Sequence, residues 1–535
     1  MPARMLTAPP GTAPADRSTS GGGGRQRLMD RARRWSVATA CLATLAVHLL
    51  FLTRRLGADE GGFAMVARHW GEPGPYLYGP QWVDRPPGLL AVFAVADRVG
   101  PYGVRLAAAL VAVVLVAAVA AAAEVLGGRS AARWSAWTGF ALGSSVLLET
   151  QQLNGELVAA ACVAVSVAAL ARGVRGCRTW PGAVLSGLVA GTAATAAVLV
   201  KQDFVDALVF AGVLIGLGLF TSTGRGAYRP RRVAQVAAAF AVAAVLVLAA
   251  AALWAARHGG VDALAYAMFG FRRDASLVLS GWSTRAPLLR LQRLGVLSVA
   301  SGLGLLLVRL ALVHGARLRR PDPLPWAVAA AVAAEVVGVL AGGSYWTHYL
   351  IALVPTVALA TGLGVHPRSA GRRWTRRLVV ASVLVTAVAS PVGAATAARA
   401  PDDAWTTGRW LAASAAPADS LVVTYTHADV IEDSGMRPGY AYAWSLPART
   451  LDPHLGLLTR TLDRSSGAPT WVLRWDHPHA WGLDRDGTVE AALQRHYRRD
   501  AEVCGHQVWL HRGLRRVLAP VPSAQACGPL RSGWW

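Results

Sequence analysis

Apolar residues in this chain come in long unbroken runs rather than in the three- and four-residue rhythm of a soluble amphipathic helix. A bilayer crossing needs roughly 17–25 mostly apolar residues. Runs of that kind cover 35–52, 103–123, 131–148, 155–171, 182–200, 204–220, 233–256, 294–313, 324–341, 349–365 and 378–397. They predict about eleven transmembrane helices. The stretch 86–99 (PPGLLAVFAVADRV) is shorter and carries Asp97 and Arg98, so it reads as an interfacial helix rather than a span. After residue 397 the pattern changes. Leu421–Tyr425 and Trp471–Arg474 have strand character, and Thr488–Tyr497 has the spacing of an amphipathic helix. The expected fold class is therefore mainly α: a polytopic membrane domain over 35–397, followed by a small α/β domain over 398–535. Residues 1–34, rich in Pro, Gly, Ser and Arg, read as a disordered tail.

Composition agrees with a membrane protein. Of 535 residues 54% are hydrophobic and 16% charged, against about 25% charged in soluble proteins. The formal net charge of +23 suggests a nucleic-acid partner until its placement is considered. If the N-terminus is cytoplasmic, every second loop is rich in arginine, as the positive-inside rule requires. Only Asp16, Asp30, Glu124 and Asp322 oppose the arginines on that side, which therefore holds most of the net charge. The charge marks orientation, and no nucleic-acid partner is expected. The same count places 398–535 outside the cell membrane. Cys504 and Cys527 lie there, in a compartment that permits disulfides, and are candidates for a bridge. The five cysteines form no CxxC pair, and no strong metal motif is present.

Ionisable residues beside membrane spans are costly and default to functional hypotheses. Here they gather on the outer face. Asp59, Glu60, Glu72, Asp84 and Arg85 lie in the long first outer loop, 54–102. Glu149, Gln151, Gln152, Asn154 and Glu156 fill the second outer turn, Lys201, Gln202 and Asp203 the third, and Tyr345, His348 and Tyr349 the last. A second long outer segment, 257–293, is rich in Arg and aromatic residues. A carboxylate pair such as Asp59-Glu60 can divide base and binding roles; two solvated loop acids are the other reading. The Pro86-Pro87 pair stiffens the backbone beside Arg85, whose planar fork suits a phosphate; a helix-start proline pair beside a snorkelling arginine is the alternative. Lys201 is the one lysine among 53 basic residues. It sits at the end of an apolar run, either as a compact ammonium for a ligand or as an anchor paired with Asp203. A transporter would place such groups nearer the midplane, where only Glu335 stands well inside a span.

Together these stretches resemble the GT-C superfamily of polytopic glycosyltransferases, in particular the bacterial protein O-mannosyltransferase and aminoarabinose transferase branch. The likeness is carried by Asp59-Glu60, Phe63, Ala67, Gly71 and Arg85-Pro86-Pro87, then Arg105-Leu106, Lys201, and His348-Tyr349 through Pro355. It covers roughly residues 35–397. Two positions depart from the family pattern. Arg85 stands where a lysine is usual, and Asn154 and Glu156 stand near a usual aspartate.

The resemblance implies an inverting transfer of sugar from a polyprenyl-phosphate donor to a cell-envelope acceptor (glycan, lipid or protein) on the extracytoplasmic face. It implies Asp59 and Glu60 as catalytic acids and Arg85, Lys201, His348 and Tyr349 around the donor phosphate. Asn154, Glu156 and Tyr345 would contact sugar or acceptor. A phosphate leaving group clamped by cations requires neither cofactor nor metal. A transporter or lipid flippase is the reading from another class.

Overall fold

The computed structural model describes residues 22–220, 228–280, 285–319, 322–365, 372–477 and 479–527. Helix α1 (Gly22–Leu49) already begins inside the stretch expected to be disordered; the remainder of that stretch, 1–21, lies outside the described residues. The sequence from Arg25 to Arg34 consists mostly of good helix formers, and extending an existing helix is far easier than nucleating one. The apolar run behind it supplies the nucleus.

The outer loop that follows contains α2 (Ala58–Arg68) and α3 (Pro87–Asp97). Each has 11 residues, about 16 Å at 1.5 Å per residue, too short to cross a bilayer. Helix α4 (Gly103–Gly143) contains two of the expected spans, folded against each other. Gly128 breaks it with a φ of 77° and a ψ of −177°. Beyond that break the Ser135 hydroxyl donates to the Val119 carbonyl at 3.1 Å, and Gly139 lies against Val116 and Val119. Then come α5 (Gly155–Ala171), α6 (Trp180–Val200), α7 (Asp206–Phe220) and α8 (Pro230–Arg257).

The second outer segment holds α9 (Val261–Ala265) and α10 (Phe271–Ser280). Next are α11 (Arg285–Ala300), α12 (Leu303–His314), α13 (Pro323–Ala341), α14 (Val354–Gly364), α15 (Arg372–Arg399) and α16 (Asp403–Ser414).

Seven helical segments among the described residues are long and apolar enough to cross a membrane, eight if a bent pair is one span. The expected count of about eleven is not reproduced, for identifiable reasons. The first run contributes only Ser36–Leu49 as apolar helix, and the run at 204–220 gives the short α7. The run at 294–313 is broken between α11 and α12 by a 71° bend, where Gly302 takes a φ of 85°. The fourth difference is one of counting alone, since α4 holds two of the expected spans joined at Gly128.

The C-terminal part is α/β, as expected. Its sheet has strands β1 (Ser420–Thr424), β2 (Arg437–Pro438), β3 (Trp471–Arg474), β4 (Tyr497–Val503) and β5 (His506–His511), in the order β2-β1-β3-β5-β4. β1 runs parallel to β2 and β3, with Val422 opposite Val472, while β5 is antiparallel to β3 and β4. Leu421, Val422, Trp471, Val472, Leu473, Val508 and Leu510 are fully buried, which explains why β1 and β3 are continuous apolar runs rather than alternating ones. A Cys504–Cys527 disulfide, with its Cα atoms 5.0 Å apart, ties the β4–β5 turn to the end of the described chain.

This domain rests on the first outer loop. Helix α17 (Asp429–Ser434) packs on α2, Arg68 of α2 pairs with Glu432, and the Trp82 amide donates to the Ala441 carbonyl at 3.1 Å. Close approach needs the glycines of α2. A Cβ on Gly61 would fall 2.5 Å from the Asp429 Cβ.

Candidate active site

The polar groups of four separate outer turns converge where α2 meets the ends of the bundle. Asp59 and Glu60 are neighbours in the first turn of α2, but successive helix residues point about 100° apart. Glu60 turns inward and is buried. Its carboxylate takes both Nη atoms of Arg105, at 2.5 and 2.9 Å, together with the amides of Leu153 (2.8 Å) and Gly57 (3.2 Å). Arg105 also donates to the carbonyls of Arg54 and Arg55. Glu60 is expected to share the chemistry with Asp59 or to fix a cation. In this geometry it fixes one, Arg105, and both its oxygens are engaged in fastening α2 to α4 and to the turn before α5.

Asp59 lies on the exposed side of α2. Its Oδ1 accepts the indole N–H of Trp444 at 3.0 Å, and Oδ2 carries no hydrogen bond to a described residue. The side chain is solvent-exposed, but the protein packed around it costs the carboxylate hydration and pushes its pKa up, opposed by the charges of His348 and Arg85 and by the Trp444 hydrogen bond.

Arg85 lies near enough to Asp59 for their charges to act on each other. Its Nη1 meets the Asp84 carboxylate at 2.8 Å and the Asp84 carbonyl at 3.2 Å. Its Nε and Nη2 are without hydrogen-bond partners among the described residues. The Arg85 carbonyl accepts from the Tyr78 hydroxyl at 2.6 Å, which fixes the backbone ahead of the proline pair. Asp84 also binds Arg272 of α10 at 2.8 Å. Burial pushes the Asp84 carboxyl up, but the two guanidiniums outweigh it and hold the pKa below the usual range.

Lys201 caps the end of α6. Its ammonium is buried, 2.6 Å from Glu156 and 3.3 Å from Asp203, and lies 4.4 Å from the centre of the Tyr349 ring. His348 reaches Glu149 through Nδ1 at 3.0 Å and Glu156 through Nε2 at 3.5 Å. Glu149 holds that contact from a left-handed backbone, φ 59°. A small cavity beside Lys201 is lined by Asp203, Phe204, Asp206, Glu335 and Tyr349. Glu335 accepts the Thr356 hydroxyl at 2.5 Å.

Two expected residues stand apart from this cluster. The Asn154 side-chain oxygen accepts the Leu157 amide at 2.8 Å, so Asn154 is the N-cap of α5. This was legible in advance as an Asn before an apolar helix. Tyr345, at φ 53°, packs on the apolar bundle and has no ion pair or hydrogen bond to the cluster among the described residues. Conversely, Arg272 and Trp444 are in contact with the cluster although sequence reasoning assigns them no role, and Glu149, singled out there only as one of the outer polar residues, holds His348. The aromatic and Arg-rich character of 257–293 was the only signal for Arg272, and nothing marked Trp444. Among the described residues no group of three or more His, Cys, Asp or Glu is placed to hold a metal ion.

No family model matches the chain, and no curated protein matches it. Solved structures do. ArnT from Cupriavidus metallidurans bound to undecaprenyl phosphate superposes with a TM-score of 0.61 at 14% identity, covering 89% of this chain and 97% of that one. The oligosaccharyltransferase of Archaeoglobus fulgidus, tethered with an acceptor peptide, superposes with a TM-score of 0.54 at 11% identity, covering 87% and 72%. The archaeal oligosaccharyltransferase AglB from Archaeoglobus fulgidus, in complex with an inhibitory peptide and a dolichol-phosphate, gives 0.52 at 11% identity, covering 93% and 77%. The chain is thus a polytopic membrane protein by its apolar helices and fold. More particularly, its fold is that of the solved ArnT and of the archaeal oligosaccharyltransferase.

Proposed function

We propose that this protein is a membrane glycosyltransferase. It moves a sugar from a polyprenyl-phosphate donor to a cell-envelope acceptor on the extracytoplasmic face, with the N-terminus cytoplasmic and the C-terminal domain outside. One observation carries the reading: at the end of an apolar bundle Asp59, one carboxylate oxygen of which has no hydrogen-bond partner among the described residues, stands near enough to Arg85, whose Nε and Nη2 have none among them, for the two charges to act on each other. An acceptor hydroxyl on Asp59 would lose its proton to the carboxylate as its oxygen attacks the anomeric carbon. The carbon–oxygen bond to the phosphate breaks on the opposite side, which inverts the centre, and the polyprenyl phosphate leaves with the electron pair. Arg85, backed by Asp84 and Arg272, is placed to receive the charge growing on that phosphate. Lys201 and His348, held by Glu156 and Glu149, complete the cationic side, with Tyr349 packed over Lys201. The solved ArnT holds undecaprenyl phosphate by its description, which supports a lipid phosphate as the kind of ligand this fold accommodates.

Arg85→Ala tests the assignment. A hydrogen bond to a charged group is worth roughly 1.5–3 kcal/mol, so the apparent donor KM is expected to rise by at least about tenfold. Titrating donor at fixed acceptor measures it. A donor KM equal to that of the wild type would remove Arg85 from the phosphate site.

A further inference from the structure

The side chain that holds Asp59 belongs to the other domain. Trp444 precedes the short helix Ser445–Leu451, and its Nε1–H donates to Asp59 Oδ1 at 3.0 Å. An indole N–H can only donate, so the bond favours a carboxylate in this position. The ring centre lies 5.4 Å from that of Phe63, one turn beyond Asp59 on the same helix, and Arg85 lies 5.8 Å from the centre of the Phe63 ring. The indole has a fitted seat. A Cβ on Gly62 would fall 2.4 Å from Cζ2 of Trp444 and 3.0 Å from the Ala428 Cβ. Glycine at 62 therefore lets the ring lie flat enough against α2 for its N–H to reach one helical turn back.

We propose that Trp444 is a positioning residue of the transfer site, through which the C-terminal domain holds one oxygen of Asp59 and leaves the other without a hydrogen-bond partner among the described residues. On this view the C-terminal domain completes the active site rather than merely standing over it. The proposal rests on Asp59 being the acid that receives the acceptor. It also explains why α2 carries adjacent glycines just after its acids: Gly61 admits Asp429 of α17, and Gly62 admits the indole.

The charged groups around Asp59 set what loss of the bond does. His348 faces it from the start of the Thr347–Leu353 turn, Arg85 from the loop before α3, and Glu156 from α5. Glu60, on its own helix, is neutralised by Arg105, and Asp429 packs against Gly61. None of these changes in Trp444→Phe, which keeps the ring and removes only the donor. A hydrogen bond to the ionised form lowers a carboxyl pKa, and its loss raises it.

The readout is modification of Asp59 in the full-length detergent-solubilised protein by dicyclohexylcarbodiimide. The reagent takes up a protonated carboxyl by adding its O–H across one C=N bond, and the adduct rearranges to a stable N-acylurea found by peptide mass spectrometry. In Trp444→Phe the pH midpoint of Asp59 labelling is expected to rise by about one unit, with Asp59→Asn giving no adduct at that position. In the transfer assay the same variant is expected to lower kcat with donor KM unchanged. An unmoved midpoint in a folded Trp444→Phe protein, beside an active wild type, overturns the proposal alone. A wild type that transfers no sugar overturns instead the reading of Asp59 on which it rests.

Discussion

Asp59→Asn is expected to cut sugar transfer by about 10²–10⁴-fold, the usual range for losing a positioned general base, while the protein still folds and still binds donor. The substitution is nearly isosteric. The Asn carbonyl oxygen can accept the Trp444 N–H that Oδ1 accepts now, so the contact with the C-terminal domain survives. What disappears is the ability to take a proton. Initial rates with saturating donor and acceptor, beside a thermal melt of both proteins, measure the two halves of the statement. Full activity in a folded Asp59→Asn protein would remove Asp59 from the chemistry.

The second large effect concerns stability. Glu60 and Arg105 are 2% and 3% exposed, and together they join α2, α4, the 54–55 backbone and the turn before α5. Removing one partner of a buried ion pair leaves an uncompensated charge, at a cost of about 3–5 kcal/mol. Arg105→Met and Glu60→Leu should each lower the unfolding temperature sharply or prevent accumulation of folded protein. The double variant, which buries no orphaned charge, should be more stable than either single one. Thermal unfolding of all four proteins in one detergent measures the coupling. Single variants as stable as the wild type would mean that Glu60 is free for another role.

These two acids illustrate what is legible in the sequence. Both stand out as a pair at the start of an outer helix, and the GT-C resemblance selects them together. The helix then separates them, because adjacent residues diverge by about 100°. One faces Arg105 and the other Trp444, and only a partner 45 residues further along decides which. The bilayer makes long apolar runs easy to read, so α5, α6, α8 and α13 lie close to their expected bounds. It does not reveal where glycine bends a run, as at Gly302. Strands β1 and β3 were visible as buried apolar runs. β4 begins at Tyr497, directly after the helix Thr488–His496, and its charged stretch RRDAE hides it. Trp444 could not be found in advance. Its contact spans 385 residues and obeys no local period, and the glycine that makes room for it carries no side chain to suggest a partner.

The most direct test of the whole account follows the donor itself. Purified protein in liposomes is supplied with polyprenyl-phosphate sugars and a cell-envelope extract, and lipid and acceptor products are analysed by mass spectrometry. The account predicts that wild-type protein converts donor to free polyprenyl phosphate with an equal amount of newly glycosylated acceptor, and that Asp59→Asn does neither. Donor left intact by active, folded wild-type protein, together with movement of lipid or solute across the same liposomes in the absence of acceptor, would contradict it and identify a transporter.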